Sequence, residues 1–157
     1  MAEENERKFL LDRSVFADDK FFVSGHPRSA TISQCYPYAS KECELRVRRA
    51  DGKHTLTAKV GTGQTRQEFE VNINGNEYLE LSKGTMVLTK LRFNIDGWEI
   101  DRYSGDLAGL ITAEYEIKDS AVPFEIPEWL KPYILEEITE DEKYKNKNLA
   151  LKGLPVV

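Results

Sequence analysis

The chain is poor in cysteine and histidine and has no long apolar run. Two cysteines, Cys35 and Cys43, occur in 157 residues, too few for a disulfide framework or a thiolate zinc site. Both are read as free thiols of a reducing compartment. Neither has a histidine close by in sequence, so nucleophilic thiol chemistry is set aside. The two histidines, His26 and His54, are far apart in sequence and are expected in surface loops. No segment approaches the ~20 apolar residues of a membrane-spanning helix, and the N-terminus has no signal-like apolar run. A cytoplasmic location is therefore the expectation, with no membrane partner. Repeats, low-complexity tracts and linker-like shifts in composition are also missing, which leaves one domain over residues 1–157. There is no basic excess either. Lys and Arg number 22 against 27 Asp and Glu, a formal net charge of −5, which argues against general nucleic-acid affinity. Gly61-Thr62-Gly63-Gln64 lacks the Gly-Lys-Ser/Thr ending of a phosphate-cradling loop and reads as a turn.

What the chain does have is charge, 31% of its residues, laid out at a two-residue spacing. Glu4-Asn5-Glu6-Arg7-Lys8 opens the series. Arg46-Val47-Arg48, Glu68-Phe69-Glu70, Lys90-Leu91-Arg92, Glu99-Ile100-Asp101 and Glu114-Tyr115-Glu116 continue it. Residues i and i+2 of a strand share a face, so each pair sends two charges to one side and an apolar residue to the other. Strands are expected at about 4–11, 30–36, 44–49, 55–60, 66–73, 87–93, 98–103 and 110–118. Pro37 is expected to end the second, because it has no amide donor. Asp51-Gly52 is a strong hairpin turn between the third and fourth. Helices are expected at 76–83, through Tyr78, Leu79 and Leu81, and at 140–149, where Thr139-Glu140-Asp141-Glu142 has the form of a capping box. A short helical piece is expected around 14–21. Trp98 and Trp129 are read as packing residues.

Taken together, the strands put Glu4, Glu6, Lys8, Arg46, Arg48, Lys59, Glu68, Glu70, Lys90, Arg92, Glu99, Asp101, Glu114 and Glu116 on one face. Two arrangements fit: a flat sheet with its charges in water, or a sheet curled around them with the apolar face outward. The sorting of charges favours the second. Like charges ~4 Å apart repel by roughly 4 kcal/mol at an effective dielectric of ~20, so stability alone favours mixed pairs. Acids sorted from bases make sense if the acids share a cation and the bases an anion. Carboxylates without His or Cys suit a hard ion, Mg²⁺ or Mn²⁺. Arg and Lys clusters suit phosphate oxygens. Six bases against eight acids on this face give a formal −2, so a polyphosphate is expected to need divalent metal in order to bind.

These residues, in this order, resemble the CYTH proteins, also called triphosphate tunnel metalloenzymes. The E-x-E-x-K hallmark matches Glu4, Glu6 and Lys8. R-x-R, a strand-closing Lys, E-x-E, K-x-R, an acidic pair and a final E-x-E follow at Arg46/Arg48, Lys59, Glu68/Glu70, Lys90/Arg92, Glu99/Asp101 and Glu114/Glu116. Thr139, Asp141, Tyr144 and Asn146 are similar to the family's C-terminal helix. The resemblance implies an α+β fold, an eight-stranded antiparallel barrel forming a tunnel with a few covering helices. It also implies a divalent-metal-dependent triphosphatase that cuts tripolyphosphate to pyrophosphate and phosphate. Arg46, Arg48, Lys59, Lys90 and Arg92 are then the triphosphate ligands. Glu4, Glu6, Glu114 and Glu116 are the main metal ligands, with Glu68, Glu70 and Asp101 as further ones, and Glu70 also orients water. Lys8 and Tyr36 form a catalytic pair, although Cys35 stands where glycine usually precedes that tyrosine. Adenylate cyclase, thiamine or nucleotide triphosphatase, and a non-catalytic polyphosphate-binding module remain as alternatives. The apolar exterior leaves room for a homodimer.

Overall fold

Two Asp-Gly pairs set the pattern of the sheet. At Asp51-Gly52 and Asp96-Gly97 both residues take positive φ (52° and 75°; 49° and 84°). This is the conformation of a two-residue type I′ turn, whose twist suits antiparallel strands. The first pair joins β3 (Cys43–Ala50) to β4 (Lys53–Val60), and the second joins β6 (Leu88–Ile95) to β7 (Trp98–Tyr103). The computed structural model describes residues 5–16, 28–62, 66–119 and 121–155. Its other strands are β1 (Glu6–Leu11), β2 (Arg28–Ala39), β5 (Gln67–Ile73), β8 (Ile111–Glu116) and β9 (Ile134–Glu137). The sheet order is β5-β4-β3-β2-β6-β7-β8-β1-β9, with antiparallel neighbours throughout. The eight expected strands are present. β9 is a ninth, a short edge strand without alternation, which is why the sequence did not show it.

The register proves the shared face. Glu6 lies opposite Glu116 and Lys8 opposite Glu114. Glu99 faces Glu114 and Asp101 faces Thr112, while Arg92 faces Asp101. Gln34 faces Arg48, Arg46 faces Thr57, and Thr57 faces Glu70. Opposite residues point to the same side of a sheet, so the charged pairs share one surface. That surface is concave. Lys59 on β4 and Lys8 on β1 line one cavity, yet in a flat sheet they would lie six strand spacings, roughly 29 Å, apart.

The outer face is apolar and partly jacketed. Phe9, Leu11, Trp98, Ile100, Ile111 and Ala113 pack under Val15 and Leu130. Cys35 and Val47 pack under Tyr78 of α1 (Gly75–Ser82). That helix starts with a reciprocal cap: Asn74 Oδ1 accepts from the Glu77 amide at 2.8 Å, and Glu77 Oε1 accepts from the Asn74 amide at 2.9 Å. Of its three expected core residues only Tyr78 is buried; Leu79 and Leu81 face solvent. A third cluster sits inside the curl. Tyr36, Leu88 and Tyr103, on the charged face, pack against Ile138, Tyr144, Leu149 and Ala150. Thus α2 (Asn146–Lys152) stoppers one end of the concave surface.

Several expectations needed correction. β2 does not stop at Pro37; it continues to Ala39 through a register shift between Cys35 and Tyr38. A bulge leaves a residue out of the ladder, so the missing amide costs nothing there. His54 is not in a loop but within β4, its ring 5.4 Å from that of Tyr78. The piece near residue 14 is a 3₁₀ turn, Arg13–Phe16; the rest of that expected helix, and His26, lie outside the described residues. The capping box at Thr139 is absent. Thr139 Oγ1 accepts from the Lys8 amide at 3.0 Å and donates to Glu137 Oε2 at 2.6 Å. With Thr139 recruited by the sheet edge, Asp141 starts a 3₁₀ turn at Glu142–Tyr144 instead, and the α-helix begins only at Asn146. Among the described residues no helix is long and apolar enough to cross a membrane.

Candidate active site

The concave face encloses a cavity of about 260 Å³. Glu6 and Lys8 from β1, Tyr36 from β2, Arg46 from β3, Lys59 from β4 and Glu114 from β8 all reach it. The C-terminal segment closes over them with Ile138, Thr139, Asp141, Tyr144 and Asn146. Six residues singled out in the sequence therefore meet at one place. Glu4 lies outside the described residues. Glu68, Glu70 and Glu116 have the correct side of the sheet but are exposed. Among the described residues, no three His, Cys, Asp or Glu side chains converge as a ready-made metal cluster.

Beside the cavity, the basic residues form a braced network. Arg92 grips Asp101 with two parallel bonds, Nε to Oδ1 at 2.8 Å and Nη2 to Oδ2 at 2.9 Å. Its third arm reaches Glu99 Oε2 at 2.9 Å. Lys90 Nζ lies 2.9 Å from Asp101 Oδ2 as an ion pair, though it is poorly directed for a hydrogen bond. Lys90 and Asp101 are both buried. Burial alone would raise the Asp101 carboxyl, but Lys90 and Arg92 outweigh it and hold it well below the ordinary range. Burial lowers Lys90 to about 8, against the pull of Asp101. Asp101, expected to ligate metal, thus has both oxygens occupied by cations.

A second brace involves a residue to which the sequence reading gave no role. Gln34 is fully buried. Its Oε1 accepts from Arg48 Nε at 2.9 Å, and its Nε2 donates to the Tyr36 hydroxyl at 2.9 Å. One amide therefore fixes both a guanidinium and a phenol. The signal available in sequence was position alone, since Gln34 is two residues before Tyr36 and shares its face. Burial, first of all, lowers Arg48 to about 10, with the nearby charges of Arg46 and Arg92 adding to it. Burial raises the Tyr36 hydroxyl. A cluster of cations that depress one another invites an anion.

Lys8 does not bond to Tyr36. Its Nζ donates to the Tyr144 carbonyl at 2.8 Å. Burial lowers its pKa, opposed by the carboxylates of Glu114, Asp101 and Glu6. On the acidic side, Glu6 and Glu116 face one another across a ladder, as do Glu99 and Glu114. Like charges directly opposite destabilise a sheet unless a cation is shared between them. The donors are oxygen only, so the set fits a hard divalent ion. At the far edge, Thr57 Oγ1 donates to Glu70 Oε1 at 2.9 Å.

Comparison with known proteins agrees with this geometry. No model of a known protein family matches the chain. An inorganic triphosphatase of Acetivibrio thermocellus is 34% identical over 158 aligned positions, covering 96% of this chain and 94% of that protein. An inorganic triphosphatase of Nitrosomonas europaea is also 34% identical, covering 94% and 97%. The crystal structure of an inorganic triphosphatase superposes with a TM-score of 0.67 at 28% identity, over 99% of both chains. Near-complete coverage at this identity, with the shared fold, leaves one assignment: the chain belongs to the inorganic triphosphatases of the CYTH, or triphosphate tunnel metalloenzyme, family.

Proposed function

We propose that this protein hydrolyses inorganic triphosphate to pyrophosphate and phosphate within the concave face, with the help of a divalent cation. The observation that carries the reading is one cavity on the concave face that brings Arg46 of β3 and Lys59 of β4 together with Glu6 and Lys8 of β1 and Glu114 of β8. Arg46, Arg48, Lys59, Lys90 and Arg92 grip the anion. Guanidinium bonds to phosphate are charge-assisted and paired, which fixes the chain of phosphates in position as well as holding it. Asp101, Glu99 and Gln34 hold Arg92, Lys90 and Arg48 in place before substrate arrives, so no reorganisation is needed in the transition state.

Glu6, Glu114 and Glu116, with Glu4, are the residues that would hold Mg²⁺ or Mn²⁺, and Glu68 and Glu70 would hold a second ion or orient the attacking water. Such an ion supplies charge neutralisation and acidifies bound water. In the reaction, water adds at a terminal phosphorus and the bridging P–O bond breaks. Pyrophosphate leaves, and the protons of the water pass to the products or solvent. Lys8 keeps its proton on Nζ and presents that charge to the bridging oxygen as negative charge builds there, steadied by the Tyr144 carbonyl. Tyr36, tied to Gln34, orders the same wall.

The test is a product analysis. The protein is incubated with tripolyphosphate, ATP or thiamine triphosphate, with Mg²⁺ or Mn²⁺ and with EDTA. Metal-dependent release of phosphate and pyrophosphate from tripolyphosphate supports the reading. Cyclic AMP from ATP would make the protein a cyclase, and no turnover of any of them would make it a binding module.

A further inference from the structure

Among the described residues, three buried side-chain nitrogens lack a hydrogen-bond partner: Arg46 Nε, Lys90 Nζ and Arg66 Nε. All three are cationic and all belong to the concave face or its rim. Buried polar atoms are almost always satisfied, so Arg46 Nε and Arg66 Nε mark places for a water or a ligand oxygen, whereas Lys90 Nζ already has Asp101 as its ion-pair partner. Arg46 and Lys90 already belong to the proposed phosphate grip. Arg66 belongs to none of the charge pairs, yet it carries the same mark.

Its setting supports the same conclusion. Arg66 stands just before β5 and lines the cavity beside Arg46 and Lys59. Its Nη2 is held 2.9 Å from Glu44 Oε1, and both side chains are largely buried, at 18% and 8% exposure. Glu44 is the acid on an otherwise basic run of β3, opposite Lys59 and two residues from Arg46. Glu44 therefore orients one arm of the guanidinium and leaves Nε with nothing to bond in the protein. A guanidinium fork clamped at one arm and open at another is suited to a phosphate oxygen.

We propose that Arg66 is a further substrate ligand, taking an oxygen of the triphosphate at the β4–β5 side of the cavity, with Glu44 as its positioning residue. This rests on the triphosphate reading above. The ligand class is the same inorganic polyphosphate; what is new is a binding residue outside the charge-pair motifs.

The experiment uses the full chain and three variants, Arg66→Ala, Arg66→Lys and the double variant Glu44→Gln/Arg66→Ala. The double variant avoids stranding a buried carboxylate, which is itself strongly destabilising. Steady-state kinetics with Mg²⁺-tripolyphosphate are read beside thermal melting. Arg66→Ala and the double variant should raise KM at least tenfold with kcat within about threefold, and Arg66→Lys should recover part of the loss. These magnitudes follow from one charge-assisted bond. A KM within twofold of wild type in the double variant overturns the proposal, whatever happens to melting temperature. Calorimetric binding of Mg²⁺-tripolyphosphate separates this from the parent reading. If the wild type binds without turnover, the hydrolase assignment fails, and the tenfold affinity difference still decides the role of Arg66. If the wild type does not bind tripolyphosphate, both fail.

Discussion

Replacing Asp101 by Asn tests the electrostatic frame of the site. In the wild type one buried carboxylate is shared by Arg92, through two bonds of 2.8 and 2.9 Å, and by Lys90 at 2.9 Å. The side chains of Lys90 and Asp101 are 0% and 3% exposed, so water cannot replace the lost charge. Arg92 keeps Glu99, whereas Lys90 loses its ion-pair partner. Breaking one partner of a buried pair costs about 3–5 kcal/mol. For a chain of this size each kcal/mol lowers the melting temperature by about 2–4 °C, so Asp101→Asn should melt about 6–20 °C below wild type. The cost is one of stranded charge. Adding Lys90→Met should therefore recover more than about 1 kcal/mol of it, a coupling that a double-mutant cycle reads directly. The acid side gives an independent check. The Asp101 pKa is depressed in the folded state, so its contribution is present above the ordinary carboxylate range. It fades as pH falls through the folded value. Asp101→Asn should flatten that part of the profile of stability against pH. Urea and thermal melts from pH 2 to 8 measure all three effects. A loss below about 1 kcal/mol at pH 7, or an unchanged acid profile, would refute the frame.

Further outcomes follow from the same network. Lys8→Ala should lower kcat far more than it raises KM if Lys8 acts at the bond being broken, as proposed; a pure KM effect would assign it to binding alone. Gln34→Leu should loosen Arg48 and Tyr36 together and raise KM for tripolyphosphate several-fold, and an unchanged KM would remove Gln34 from the site. The depressed Lys90, at about 8, is the alkaline limb: KM should rise as pH climbs through that value and the anion grip loses a charge. The folded pKa lies below the unfolded one, so the Lys90 contribution to stability should increase over the same interval, up to the ordinary lysine range. Exhaustive chelation should abolish turnover and Mg²⁺ or Mn²⁺ should restore it, so full activity in EDTA would contradict the assigned role of the carboxylates.

The strands and their shared face were legible because alternation is a short-range signal. Arg46-Val47-Arg48 cannot place both charges inward without placing Val47 outward. The Asp51-Gly52 turn was equally plain. What stayed hidden depends on contacts distant in sequence. Thr139 has the spacing of a helix cap, but the Lys8 amide of β1, just past the end of the β9 pairing, takes its hydroxyl, so the helix starts at Asn146, six residues later than expected. Pro37 reads as a strand end until a bulge makes room for it. Asp101 sits in a pattern of acids and reads as one of them. Its role is set by Lys90 and Arg92 on the neighbouring strand, which only register reveals. Gln34 and Arg66 belong to none of the charge pairs; Gln34 is marked by burial and two side-chain bonds, Arg66 by a bond left unfilled.

The most direct measurement is a crystal structure of the Lys8→Ala variant grown with tripolyphosphate and Mn²⁺. The account expects phosphate oxygens bonded to Arg46, Arg48 and Arg92 inside the curl, with manganese against Glu6, Glu114 and Glu116. An anion seated on the outer surface, with those side chains unliganded, would contradict it.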